Sequence, residues 1–567
     1  MNSPTNRLEF GPSHGRVETL SCSPQSLPPL LPHPGRVVGL VPLSRRIPDS
    51  FIAENLARAL KEETTDSVIL VKLTPFEMGD STRSWPLLLP ERDGEFNFIE
   101  SLQRTDSGID VLRLHVTDEL DPTVNLPNLL KELSRHYTYV LAHFHAATPM
   151  RALLKCLAQS ELAYVLFQQS TDSLYSFNRL MGAFRSEAKS LGAAIKPILF
   201  LEKDEGARRD VDFSKIIGSP VHAILHGSPG QFTDSGYLQR DLRTGGFKAD
   251  IRRLAREVGR RRIGLALSSG AARGLAHIGV FQVLEENGIE IDVVAGCSMG
   301  AYVGAVWAYG YGGALMEKLA REMEGRWGLW KLIDPVFPPR QGFLRGLGVK
   351  HRLQKSIGDA HFSDLMHPLR VVATQFETLE RKVFSSGEVA ATVHASSAIP
   401  GVCVPVRIAG QTYIDGGISD PLPVDVLKQM GIERIIAVNT IPTPSYLECS
   451  RELEREQAEL KSRWSRVLKF FHRQVNYFAP GNILDIMQRS ILGAQIRIAE
   501  ESCRKADLVL RPLCCDGHWY DFTHPGKYIA LGRRVAEEHL DQIKSLVSKK
   551  ESTDENLTVH DELAAAA

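Results

Sequence analysis

Ile291-Asp292-Val293-Val294-Ala295-Gly296-Cys297-Ser298-Met299-Gly300-Ala301-Tyr302-Val303-Gly304-Ala305-Val306 carries the strongest structural signal in this chain. An apolar run ends in G-x-S-x-G and continues as a small-residue helix. That is strand, tight turn and helix, with Ser298 at the apex of a nucleophile elbow. Gly296 and Gly300 flank the serine because such a turn is strained and leaves little room for side chains. The helix that follows directs its positive end at the hydroxyl, which favours developing negative charge. Five residues with three fixed are a weak signal alone, so the neighbouring sequence decides.

Upstream, Ile263-Gly264-Leu265-Ala266-Leu267 reads as a strand, Ser268-Ser269-Gly270-Ala271-Ala272-Arg273-Gly274 as a small-residue turn, and Leu275 to Phe281 as a helix. Free backbone N–H groups at such a helix start suit an anion. The glycines do not fall at G-x-G-x-x-G, and the next strand leads into the elbow, which argues against a dinucleotide site. Downstream, Thr412-Tyr413-Ile414 precedes Asp415-Gly416-Gly417. A D-G-G turn alone is usually an ordinary hairpin.

Together the three elements resemble the patatin-like phospholipase family: an oxyanion loop, then G-x-S-x-G, then D-G-[AG]. Pro368 to Thr374 and Ala395 to Val402 add to the resemblance. It covers residues 263–435 strongly, continues more weakly to about 545, and looks closest to the bacterial and neuropathy-target-esterase-like branch. It implies a three-layer α/β/α catalytic domain with Ser298 as nucleophile and Asp415 as general base, a dyad without histidine. Gly270, Ala271 and Ser269 are the implied oxyanion-loop residues. Gly274, Gly296, Gly300, Gly416 and Gly417 are the motif glycines. Members of the family often carry a run of glycines where this chain has Ser269-Gly270-Ala271. A serine hydroxyl needs a neighbour to take its proton, and a carboxylate with a pKa near 4 is a weak base. The dyad therefore needs close alignment, a dry pocket and oxyanion stabilisation. Arg273 reads as a loop-fixing residue, with a phosphate headgroup as its other partner. The rival is a Ser-Asp-His triad, for which His472, His518, His524, His539 and His560 all follow Asp415. His277 reads as a packed histidine.

The chain of 567 residues is 43% hydrophobic and 24% charged, with 67 basic residues balancing 67 acidic ones. These values are those of a globular chain and offer no electrostatic case for nucleic acid. Eight cysteines lack C-x-x-C spacing, so neither a zinc site nor a disulfide framework is expected, and free thiols fit a reducing cytosol. No signal peptide is read at the N-terminus. Val293 to Met316 has no charged residue and the length to span a bilayer, but six glycines and the elbow favour a buried strand-turn-helix.

Residues 1–35 are Pro/Ser-rich and 549–567 are polar, and both read as disordered tails. Residues 36–245 alternate strand and helix, as in a parallel sheet covered on both faces. The layout resembles the ParA/MinD group of P-loop ATPases. Pro42-Leu43-Ser44-Arg45-Arg46-Ile47-Pro48-Asp49-Ser50 replaces the glycines and lysine of the phosphate loop, so the domain is expected to be a degenerate scaffold or regulatory one. Residues 246–262 form a basic linker, read as solvated, with anionic lipid as the alternative. Residues 436–548 are expected to extend the catalytic domain. The segments 327–343 and 462–478 are aromatic or basic and amphipathic, and are candidates for membrane contact.

The reading is of a cytoplasmic α/β protein that hydrolyses phospholipid or lysophospholipid esters, with the inner face of a membrane as a candidate peripheral location. No cofactor or metal is implied, since no calcium-loop pattern is present. Lipid transacylation and a non-catalytic scaffold organised by the N-terminal domain are the alternatives, and the partner of that domain is unknown.

Overall fold

The computed structural model describes residues 27–75, 102–116, 122–187, 194–202, 213–219, 221–227, 245–322, 324, 334–459, 482–517 and 520–548. Two compact units are present. The first comprises residues 1–200 and 230–238, and the second 201–229 and 239–567.

In the first unit the strands are β1 (Arg36–Pro42), β2 (Val68–Pro75), β3 (Leu102–Arg104), β4 (Asp110–Val116), β5 (Tyr139–Phe144), β6 (Leu162–Phe167) and β7 (Ala194–Glu202). They lie in the order β3-β4-β2-β5-β1-β6-β7. All neighbours are parallel except β3 and β4. Every residue of β5 and β6 is buried, as expected of strands covered on both faces. The helix Asp49–Thr64 follows β1 directly and buries Ile52, Leu56 and Leu60 along one side.

The sequence predicts this domain to lack a phosphate cradle, and the side chains at the helix start do not fit a nucleotide triphosphate. Asp49 occupies the first turn, where a phosphate would need the N–H groups. Its Oδ2 lies 3.3 Å from Nε2 of the buried His143. Lys72 Nζ donates to Ser50 Oγ at 2.8 Å and is ion-paired with Glu54.

In the second unit, β8 (Ala223–Gly227) precedes the helix Gly245–Val258, and Asp250 accepts the N–H of His226 at 3.0 Å. The remaining strands are β9 (Ile263–Leu267), β10 (Val293–Cys297), β11 (Leu369–Gln375), β12 (Arg381–Phe384), β13 (Val406–Ile408), β14 (Gln411–Asp415), β15 (Arg434–Val438) and β16 (Leu508–Leu510). Their order is β13-β14-β11-β10-β9-β15-β16, with β12 also on β11. The run from β11 to β16 is parallel, and β12, β13 and β14 pair antiparallel.

From β9 the chain moves first to β10 and β11 on one side, then to β15 on the other. Ligands bind beyond the carboxyl ends of strands at such a reversal. Alternation along the strands divides the core. Leu265, Leu267 and Val294 face the layer containing helices Ala276–Glu286, Met299–Ala308 and Pro525–Glu538. Ala266, Val293 and Ala295 face Leu427, Ala499 and Cys503. The helices Ala276–Glu286 and Pro525–Glu538 touch backbone to backbone, since a Cβ on Gly279 would lie 2.0 Å from the Ile529 carbonyl oxygen.

Two sequence expectations change here. The basic run is a packed, ion-paired helix to Val258 followed by a turn, rather than a solvated segment. Arg256 donates to Asp292 at 2.8 Å and to Glu290 at 2.8 Å, Arg262 pairs with Glu257 at 2.9 Å, and Arg253 pairs with Asp250. Cys449 and Cys515 form a disulfide, contrary to the expectation of free thiols. They are 66 residues apart, so tertiary contact rather than local spacing creates the pair.

Candidate active site

β10 ends at Cys297, and Ser298 turns with φ 52° and ψ −116° into the helix Met299–Ala308. A serine in that region is strained and persists because its surroundings dictate it. Gly296 and Gly300 allow the backbones to cross: a Cβ on Gly300 would lie 2.4 Å from the Leu267 carbonyl oxygen. The Ser298 N–H donates to Ser396 Oγ at 2.8 Å, and Ser396 donates to the Val372 carbonyl. The elbow is thus pinned to β11. The charge-free stretch after Val293 is strand, elbow and helix, with a second helix at Gly313–Arg321. Among the described residues no helix is long and apolar enough to cross a membrane.

β14 delivers Asp415 to the neighbouring strand end, where it is buried. Its carboxylate accepts the Gly417 N–H at 2.7 Å, and the Ser298 hydroxyl lies close enough to favour the ionised form. Burial pushes the carboxyl pKa up to about 6, while the Gly417 N–H and the Ser298 hydroxyl pull the other way. A base with that pKa is ionised at neutral pH and accepts a serine proton better than an ordinary aspartate. Cys297 is pushed well above its ordinary pKa by burial and by the Asp415 charge, so it stays a neutral thiol.

The oxyanion loop is clamped from below. Thr440 N–H donates to Ser268 Oγ at 2.8 Å, Thr440 Oγ1 donates to the Ser269 carbonyl at 3.0 Å, and Ser268 Oγ to that same carbonyl at 2.8 Å. A Cβ on Gly270 would meet Thr440 Oγ1 at 2.1 Å, so only glycine fits. Ala271 has φ 48°, a conformation that glycine adopts more cheaply. Gly270 and Ala271 open the short helix Ala271–Leu275, and their N–H groups have no partner among the described residues. Ser269 N–H donates to the Pro421 carbonyl at 2.8 Å, which removes it as a backbone donor. Its hydroxyl remains near the site, 3.3 Å from where a Gly417 Cβ would lie.

Buried His277 bonds the Ser268 carbonyl at 3.0 Å through Nε2, and burial lowers its pKa to about 4. It is a neutral packing residue under the loop. His524 bonds Asp521 on the surface, and His539 bonds the Val535 carbonyl. His472, His518 and His560 lie outside the described residues. No described histidine is hydrogen-bonded to Ser298 or Asp415. Arg273 is desolvated, its neighbours include Tyr446, Tyr528 and Cys514, and its Nε has no hydrogen-bond partner. Segment 462–478 lies outside the described residues, and 327–343 is described only from Asp334, with Phe337 97% exposed. Ser396, Thr440 and Gln495 are site neighbours to which sequence reasoning gives no role. For Ser396 the Ala395-Ser396-Ser397-Ala398 run was the available signal.

Residues 265–428 match the family model described as patatin-like phospholipase, which includes the elbow and Asp415. The chain is 34% identical over 194 residues to a lysophospholipase nte1 of Aspergillus fumigatus, covering 34% of this chain and 13% of that protein. It is 32% identical over 254 residues to a lysophospholipase NTE1 of Kluyveromyces lactis, covering 43% and 17%. The chain thus spans less than a fifth of the length of these curated relatives. Among solved structures it is similar to a ParA family ATPase from Chlorobium tepidum (20% identity, 39% of this chain, 98% of the other, TM-score 0.31). It is also similar to VipD from Legionella pneumophila (17% identity, 50% of this chain, 67% of the other, TM-score 0.26).

Proposed function

We propose that this protein is a serine lipid acyl hydrolase that cleaves phospholipid or lysophospholipid carboxylic esters through an acyl-serine intermediate. The observation that carries the reading is the placement of the elbow serine, Ser298, beside the buried carboxylate of Asp415, whose ionised form its hydroxyl favours. The N–H groups of Gly270 and Ala271, without a partner among the described residues, supply the complementary half of the machinery. The family match over 265–428 and the names of the relatives support a lipid ester as substrate.

Ser298 Oγ attacks the ester carbonyl carbon as its proton moves to Asp415. The tetrahedral oxyanion is held by the Gly270 and Ala271 N–H groups, and one such donor is worth roughly 3 kcal/mol. Collapse breaks the ester C–O bond, and the proton passes from Asp415 to the departing alcohol. Water then attacks the acyl-serine, Asp415 again takes the proton, and that proton returns to Ser298 Oγ as the fatty acid leaves. The β9 to β16 sheet with residues 436–548 forms the catalytic unit in this reading. Contact with a membrane surface through 327–343 and 462–478, at the cytoplasmic face, is part of the same proposal.

Release of fatty acid from a lysophospholipid by wild type and by Ser298→Ala tests the reading. Turnover that is lost in the variant, together with fluorophosphonate labelling of wild type alone, supports it. Equal turnover in both overturns the assignment of Ser298 as nucleophile, and none in wild type overturns the hydrolase reading in favour of a scaffold. Acyl transfer to an added alcohol in place of water would identify a transacylase.

A further inference from the structure

The helix Ile483–Lys505 lies against the site from outside the family-matched segment. It is fastened on both sides of Gln495. Gln488 Nε2 donates to the Pro400 carbonyl at 3.0 Å, while Ala499 and Cys503 are buried in the core. These positions recur at helical spacing, so Gln495 shares the inward face.

Gly417 is where this helix meets the dyad. A Cβ on Gly417 would lie 2.5 Å from Gln495 Nε2, 2.9 Å from Asp415 Oδ1 and 3.3 Å from Ser269 Oγ. Three polar groups from three separate elements therefore surround one small residue, and two of them stand beside the general base. Gln495 is half-buried and Ser269 is buried. Neither side chain has a hydrogen-bond partner among the described residues, whereas the Asp415 carboxylate is held by the Gly417 N–H at 2.7 Å. The amide and the hydroxyl are accessible enough to take up water or a ligand.

We infer that Gln495 and Ser269 hold the water that deacylates the enzyme, an inference that rests on the hydrolase reading above. The water gives one hydrogen to Asp415 and the other to the Ser269 hydroxyl oxygen, while its own oxygen accepts from Gln495 Nε2 and keeps a lone pair for attack. Its oxygen attacks the acyl carbonyl carbon, the proton taken by Asp415 passes to Ser298 Oγ, and the acyl C–O bond to serine breaks. Glutamine orients attacking water in the same way in a GTPase. The choice between water and a lipid alcohol as acceptor is then set by residues on two different elements.

A p-nitrophenyl ester separates the two half-reactions, because its leaving group needs no proton during acylation. Gln495→Leu and Ser269→Ala are measured for burst kinetics, for the fluorophosphonate labelling rate, and for the ratio of transfer to glycerol over hydrolysis. The expected result is labelling within about twofold of wild type, a burst close to one equivalent, steady-state turnover down roughly 10- to 100-fold, and a raised transfer ratio. Ser269→Ala, a small-for-small change, reads the same water if the Leu variant fails to fold. Labelling and turnover falling together without a burst would show a structural role and overturn the inference, as would unchanged turnover and ratio. A wild type inert towards all esters instead overturns the hydrolase reading beneath it.

Discussion

The Ser298 hydroxyl stands beside the carboxylate of Asp415 and favours its ionised form, and that carboxylate is buried and braced by the Gly417 N–H at 2.7 Å. Burial, the largest influence on this carboxyl, sets its pKa at about 6. The dyad is inactive when Asp415 is protonated. The pH profile of kcat/KM should therefore rise through about 6 and level off above it. A limb at the ordinary carboxylate value near 4 would contradict the burial argument.

The same shift makes Asp415 a stability liability at neutral pH. Its folded pKa exceeds the ordinary value of 3.8, so the native state keeps the proton longer than the unfolded chain. Stability is full below about pH 4, falls as pH rises through 6, and stays lower above that, by about 3 kcal/mol. Asp415→Asn should be more stable than wild type at about pH 7.5, with the gap shrinking towards about pH 4. Denaturant melts showing a gap that widens as pH falls would contradict this.

Ser298 sits at φ 52° as a non-glycine residue. Both Ser298→Ala and Ser298→Gly should be inactive, but Ser298→Gly should be the more stable by about 1 kcal/mol, because glycine relieves the turn. Equal melting of the two variants would mean that the elbow stores no strain.

The oxyanion loop predicts opposite outcomes at adjacent positions. Gly270→Ala places a Cβ 2.1 Å from Thr440 Oγ1 and should cost about 10²- to 10³-fold in kcat as the donors shift. Ala271→Gly relaxes a residue at φ 48° and should keep activity while leaving stability unchanged or slightly raised. Comparable kcat losses in both variants would argue against the loop geometry.

Arg256 is buried against Asp292 and half-exposed Glu290. Arg256→Met should destabilise by about 3 kcal/mol, since it strands the buried Asp292 charge. Vesicle co-sedimentation should be unchanged, because this arginine is committed to the protein. Weakened sedimentation with intact stability would restore the lipid-contact reading of the basic run.

The elbow, the D-G-G turn and the alternation of strand and helix were legible because each is local. Gly296, Gly300 and Asp415 announce themselves within a few residues. The site neighbours that arrive from elsewhere were not. Thr440 reaches the loop from the end of β15, Ser396 from the stretch before Asp415, and Gln495 from a helix with no motif of its own. The ion pairs of the 246–262 run were also hidden, because a charge pattern along one helix does not reveal acids such as Asp292 brought by another element. Ser269 shows the same limit. Its residue type fits an oxyanion donor, but only the fold reveals that Pro421 already takes its N–H.

A serine–aspartate dyad needs no histidine, so lysophospholipid turnover is compared for Asp415→Asn, His518→Ala and His524→Ala. Asp415→Asn should lose about 10³-fold or more, and both histidine variants should stay within about twofold of wild type. An active Asp415→Asn enzyme, or a folded but inactive histidine variant, would rule the dyad out.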